Sequence, residues 1–174
     1  LAGRMLTSTD DAGLVTSYDY STDNRTVTVT RPGGTQEITV QYRDGQSKNV
    51  TGSAVVAQYV TAGVNTDGSR WTQVNNTSAV SPNYEKTTVD MLGRTISVER
   101  PGFSGVETTQ YFYNNLGQLV RTTTTGQAAT LYEYDSVGNQ VRSGLDRDAS
   151  GTLVLNSTDR ISDTDTVFAL ISTN

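Results

Sequence analysis

In the stretch "DRDASG", Asp146, Asp148 and Ser150 place side-chain oxygens at alternate positions with Gly151 sixth, the way an EF-hand calcium loop begins. The twelfth position from Asp146 is Ser157, not the bidentate Glu that completes such a loop. The stretch therefore reads in two ways, as half a calcium ligand set or as an acidic solvated turn, and no other cofactor is expected. A second constellation is aromatic, with nine Tyr against three Phe and one Trp. Alternation along a strand puts Tyr111 with Tyr113, and Tyr132 with Tyr134, on shared faces. A phenol offers an apolar ring with a polar tip, which suits stacking on sugar rings at a partly wet surface. The same four residues suit cross-strand packing that steadies each hairpin. Carbohydrate contact and structural packing both stand at this point.

Nucleophilic triads and His-ligated zinc need imidazole or thiolate, and the chain has neither His nor Cys. Any catalysis must run on carboxylates, Tyr, Lys or an oxygen-bound metal. Glu99, Glu107, Glu133 and Asp135 lie near the Tyr pairs, yet Asp135 is needed in a turn and Glu133 points away from Tyr132 and Tyr134. With no carboxylate pair converging, the expectation leans against an enzyme; the alternative is a polysaccharide lyase or glycosidase using carboxylate and Tyr chemistry. Thirteen Lys and Arg against 18 Asp and Glu, a net charge of -5, leave no cationic cluster to displace counterions from nucleic acid. No apolar run approaches the roughly 18 residues of a membrane helix, so no membrane span is expected. The opening "LAGRMLTSTD" shows no Met and no leader pattern, which reads as a chain cut from a longer one. Five Asn-x-Ser/Thr sites, at Asn24, Asn49, Asn75, Asn76 and Asn156, follow from a composition rich in Thr and Asn.

The elements that must position these residues are strands. Thr-rich composition favours them, and "RTVTVT" and "EITVQY" alternate apolar and polar residues, as strands with one buried face would. Superposing "YNNLGQLVR" on "YDSVGNQVR" aligns Tyr113 with Tyr134, Asn114 with Asp135, Gly117 with Gly138 and Val120 with Val141. "VDMLGRTIS" fits the same slots, and weaker copies centre on Gly68, Gly45, Asn24 and Gly3. The anchors 3, 24, 45, 68, 93, 117 and 138 recur at the spacing of a repeat architecture. Each unit predicts a hairpin in which Asp or Asn opens a type I turn and Gly, or Asn24, takes the positive φ that closes it. An apolar residue is expected three positions on, Trp71 among them as core, with Lys48 as the exception.

These units resemble the YD-repeat, or rearrangement-hotspot (Rhs), family. The likeness is clearest at "YEYDSVGNQVRSG" and "YNNLGQLVRTTTTG", good at "VDMLGRTISVERPG" and weak from Asp10 to Thr88. The resemblance implies an all-β fold of repeat-built antiparallel hairpins forming a spiral or curved sheet, a partial YD-repeat shell. Hairpin repeats would cover 1–155 and a strand or tail 156–174. It further implies a structural wall or binding segment of an exported protein, secreted or at the cell surface, in a family whose shells often enclose a toxin. The implied partner is the remainder of a larger YD-repeat chain; a carbohydrate is the further partner that the Tyr pairs leave open. Unpaired end strands are expected to drive edge-to-edge self-association.

Overall fold

The computed structural model describes residues 3–163. Among them are fourteen strands and no helix: β1 Thr7–Thr9, β2 Val15–Tyr20, β3 Thr26–Thr30, β4 Gln36–Gln41, β5 Ser47–Thr51, β6 Gln58–Val64, β7 Arg70–Asn76, β8 Tyr84–Val89, β9 Thr95–Gly102, β10 Gly105–Tyr113, β11 Leu119–Thr124, β12 Ala129–Tyr134, β13 Gln140–Asp146 and β14 Arg160–Asp163. The chain divides into two compact units, Leu1–Met91 and Leu92–Asn174. In the first, β1 to β8 pair antiparallel in chain order. In the second, β9 to β14 do the same. The all-β, repeat-built hairpin fold is thus the one the sequence implies. β14 forms the start of the expected C-terminal segment; residues 164–174, with the apolar "VFAL", lie outside the described residues.

All seven anchor positions hold a positive φ, from 60° at Asn24 to 100° at Gly138. The hydrogen bonding is that of a type I turn closed by a left-handed residue. At Gly138 its amide donates to Asp135 O (3.2 Å) while Asp135 N donates to Asn139 O (2.9 Å). Gly117, Gly68 and Gly45 repeat the pair of bonds. The turns at the opposite end of the hairpins vary. Asp10–Leu14 and Arg31–Thr35 reuse the glycine reversal, Phe103–Ser104 is a two-residue link, and residues 147–159 form a long loop.

The expectation of strands with one buried face needs correction. Val27 stands opposite Thr39 and Val29 opposite Glu37, while Ile38 and Val40 stand opposite Thr28 and Thr26. β3 and β4 therefore send their apolar residues to opposite faces, and all four stay half-buried. Only Leu131 and Leu153 are buried hydrophobics among the described residues. The physical reason is that, within each unit, the described strands contact only their ladder neighbours and no second layer of described residues packs on them. The one small core forms where the long loop lays Leu153 against Gly144, the cross-strand partner of Leu131. Lys48 is exposed and lies over the Tyr42 ring at 5.8 Å, and its hairpin carries a register shift between Val40 and Gln41, as the Tyr113 and Tyr134 hairpins do at the matching place. Trp71 is half-buried, not core. No register shift intervenes in its hairpin, so it sits squarely opposite Gly63.

Candidate functional site

Three of the repeat tyrosines tie one hairpin to the one before. The Tyr134 hydroxyl donates to Leu119 O (2.8 Å), Tyr113 to Thr95 O (2.9 Å) and Tyr20 to Met5 O (3.1 Å). Between β11 and β12 the ladder registers only Arg121 with Leu131 and Thr122 with Thr130, so it has opened before the turns. The phenol bridges the gap and satisfies a carbonyl there. Tyr42 reaches the other way, to Val60 O of the following hairpin (2.9 Å). The cation just after an anchor glycine then covers the ring: Arg94 lies 4.7 Å from the Tyr113 centroid and Arg4 4.9 Å from Tyr20. Of the four tyrosines expected at a ligand, Tyr113 and Tyr134 therefore spend their hydroxyls on the backbone. Tyr111 and Tyr132 are half-buried opposite Thr122 and Ser143.

The acidic stretch is brought together, with one more member than the sequence suggested. Carboxylate oxygens of Asp146, Asp148 and Asp159 lie within 4.8 Å of one another. Asp146 is buried, and its two oxygens accept the Ser150 and Gly151 amides, both at 2.9 Å. Asp148 also accepts the Ser150 amide (3.0 Å), whereas the Ser150 hydroxyl turns to Thr152 O (3.0 Å). Asp159 accepts the Val154 and Arg147 amides, and the Val154 bond foremost holds its carboxyl below the usual range. Three oxygen donors of this kind suit a hard cation such as calcium, though each bound amide competes for the same lone pairs. Asp159 was missed because twelve residues of loop separate it from Asp146, and the loop brings it back through the Arg147 and Val154 amides.

Asp135 and Glu133 serve a turn and a ladder. Asp135 opens its turn by accepting Val137 N (2.9 Å), Asn139 N (2.8 Å) and the Asn139 side chain (3.0 Å). The Asn139 side chain, then its amide, lower the Asp135 pKa. Glu133 is ion-paired with Arg142 (3.1 Å), which also binds Asp163 (2.6 Å). In the first unit Trp71 lies so flat on Gly63 that an added Cβ there would sit 2.6 Å from the indole, and Lys86 covers the ring at 5.5 Å. A shallow recess beside it is lined by Asp44, Gln46, Val64 and Arg70.

In comparison with known proteins, the sequence profile of the Teneurin YD-shell fits residues 37–168, about three quarters of the chain. No curated protein matches the chain.

Proposed function

The chain belongs to the Teneurin YD-shell family, and from that premise we propose that it is a length of shell wall in an exported protein, secreted or held at a cell surface. The observation that carries this reading is the tyrosine link. A hydroxyl spent on the preceding hairpin's carbonyl has no use in an isolated hairpin and full use in a stack. The half-covered apolar side chains on both faces support a second part of the reading, that more of a YD-shell chain lies against this one. In this reading the four tyrosines serve the wall. β1 and β14 each have one ladder partner among the described residues, and their free edges offer a route to edge-to-edge self-association.

Tyr134→Phe tests it. Amide exchange should speed up in β11, the hairpin that receives the hydroxyl, as well as beside residue 134 itself. A change confined to the β12–β13 turn would contradict the wall role. Gel filtration tests the edges separately, since a strict monomer at every concentration would remove self-association.

A further inference from the structure

Two Asp-Gly pairs occur in the sequence, Asp44 with Gly45 and Asp67 with Gly68, and each forms the tip of an anchor reversal in the first unit. Glycine after Asp leaves the main-chain nitrogen unscreened by a side chain, so that nitrogen can close on the carboxyl carbon beside it. The two backbones are matched. Gly45 and Gly68 hold φ at 85° and 83°, and their amides donate to Tyr42 O (3.1 Å) and Asn65 O (3.0 Å). A difference in reactivity must therefore come from what restrains the carboxyl and what covers the glycine.

At the second pair both are restrained. Asp67 Oδ1 accepts the Ser69 amide (2.9 Å) and the hydroxyl of the same buried serine (2.6 Å). The Met91 side chain lies over Gly68, its Sδ 3.1 Å from where a Cβ would stand. The Ser69 hydroxyl, then its amide, also hold the Asp67 carboxyl below the usual range, which depletes the neutral acid that ring closure consumes. At the first pair neither restraint is present. The Asp44 carboxyl accepts a single bond among the described residues, from the amide of exposed Gln46 (3.0 Å). Nothing lies within 4 Å of a Cβ position on Gly45. Release of that one bond leaves the carboxyl free to turn onto the Gly45 nitrogen.

We propose that Asp44 is a site of spontaneous isoaspartate formation, favoured over Asp67 by the fold. The Gly45 nitrogen bonds to Asp44 Cγ, and the carboxyl hydroxyl leaves with the amide proton as water, closing a succinimide. Water then adds to either ring carbonyl. Opening at Cγ restores Asp, and opening at the main-chain carbonyl carbon leaves the chain running through Cβ as isoaspartate. Water is the only co-reactant and is returned in full. The main chain is now longer by a carbon at the tip. The two bonds that close the reversal, Gly45 N to Tyr42 O and Tyr42 N to Gln46 O (2.8 Å), cannot both persist. Tyr42 also carries the hydroxyl that reaches Val60 O, so the altered turn sits at a link to the following hairpin. The proposal stands on the turn and does not rest on the wall reading.

The test ages the whole 174-residue chain at neutral pH. Isoaspartate is read by methyl transfer from S-adenosylmethionine with an isoaspartate-specific methyltransferase and placed by peptide mapping. It should build up at Asp44 roughly fivefold faster than at Asp67, the weight of the one extra hydrogen bond on Asp67. Asp44→Glu should remove the signal at that position and leave the Asp67 signal unchanged. Ser69→Ala should bring Asp67 up to the rate of Asp44. Should that variant melt early, Met91→Ala, which uncovers Gly68, carries the comparison by speeding conversion at Asp67. In urea the unfolded chain should convert at both pairs equally. Folded chain that converts at Asp67 as fast as at Asp44 overturns the proposal, and so does folded chain that stays intact at Asp44 while urea converts it. A preference for Asp44 that persists in urea also overturns it, because sequence and not fold would then set the choice. The wall role is read separately, from amide exchange in Tyr134→Phe in the other unit.

Discussion

The anchor turns at Asn24, Gly45 and Gly68 in the first unit and those at Gly117 and Gly138 in the second make the same reversal with different caps. In the first, the acid sits at the tip, one residue before the positive φ. Asp23, Asp44 and Asp67 accept the amides of Arg25 (3.2 Å), Gln46 (3.0 Å) and Ser69 (2.9 Å). In the second, the polar residue opens the turn and one oxygen serves two amides. Asn114 accepts Leu116 and Gln118, both at 3.0 Å, and Asp135 accepts Val137 and Asn139. A cap at the opening position does the work of the tip acid, so the tip is released to Leu116 and Val137, 83% and 84% exposed. The Asp of the Tyr-Asp pair is therefore a turn device, and the Tyr is a link between turns.

The comparison breaks most visibly where a Cβ cannot fit. An alanine Cβ at Gly52 would lie 2.2 Å from Gln36 O at a φ of +123°, and one at Gly144 2.5 Å from Arg160 O. Gly52→Ala should cost on the order of 3 kcal/mol and Gly144→Ala about 2 kcal/mol. Amide exchange should place the first loss in residues 1–91 and the second in 92–163. Equal loosening of both halves by either variant would dissolve the division into units. The next effect is smaller and local. Asp135→Ala should speed exchange at Val137 and Asn139 together, while Asp67→Ala should free the Ser69 amide alone; a matching pair of effects would erase the distinction between caps.

Acid sharpens the contrast further. The Ser21 hydroxyl foremost, with the Arg25 amide and guanidinium, lowers Asp23 from 3.8 to about 2, and the Ser69 hydroxyl and amide lower Asp67. A carboxyl depressed on folding stabilises above its unfolded value, near pH 4, and that stabilisation fades as pH falls toward the folded value. The turn at Asp23 should thus lose amide protection between about pH 4 and 2, and those at Asp67 and Asp135 as pH falls below about 4. The Asn114 turn, whose cap does not titrate, should hold at Leu116 and Gln118. Simultaneous loss at Asn114 would show that the caps are not what acid removes. The smallest effect belongs to the released tips: Leu116→Ser and Val137→Ser should each stay within about 0.5 kcal/mol of the parent in urea unfolding.

The hairpin repeat was legible because glycine, Asx and Tyr at fixed offsets are local signals, and the backbone answered them at all seven anchors. Where the resemblance was weak, before Thr88, the tip acid replaces the opening Asx at Ser21 and Tyr42, so the motif blurs while the geometry persists. What the sequence hid depends on register. Opposite facing of Val27 and Ile38 follows from which residue meets which across a ladder, and alternation within one strand is silent on that. Asp159 was hidden for the same reason, since the return of the loop brings it to Asp146 and Asp148. The direction of the tyrosine hydroxyls, onto carbonyls and not outward, was equally beyond reach of pattern alone.

Because Leu116 and Val137 stand clear of the ladder while the cap beneath them closes the reversal, these two points are where extra sequence could be spliced in without disturbing its neighbours. A peptide epitope grafted at either would be displayed on a rigid stalk, its ends already held at hairpin distance.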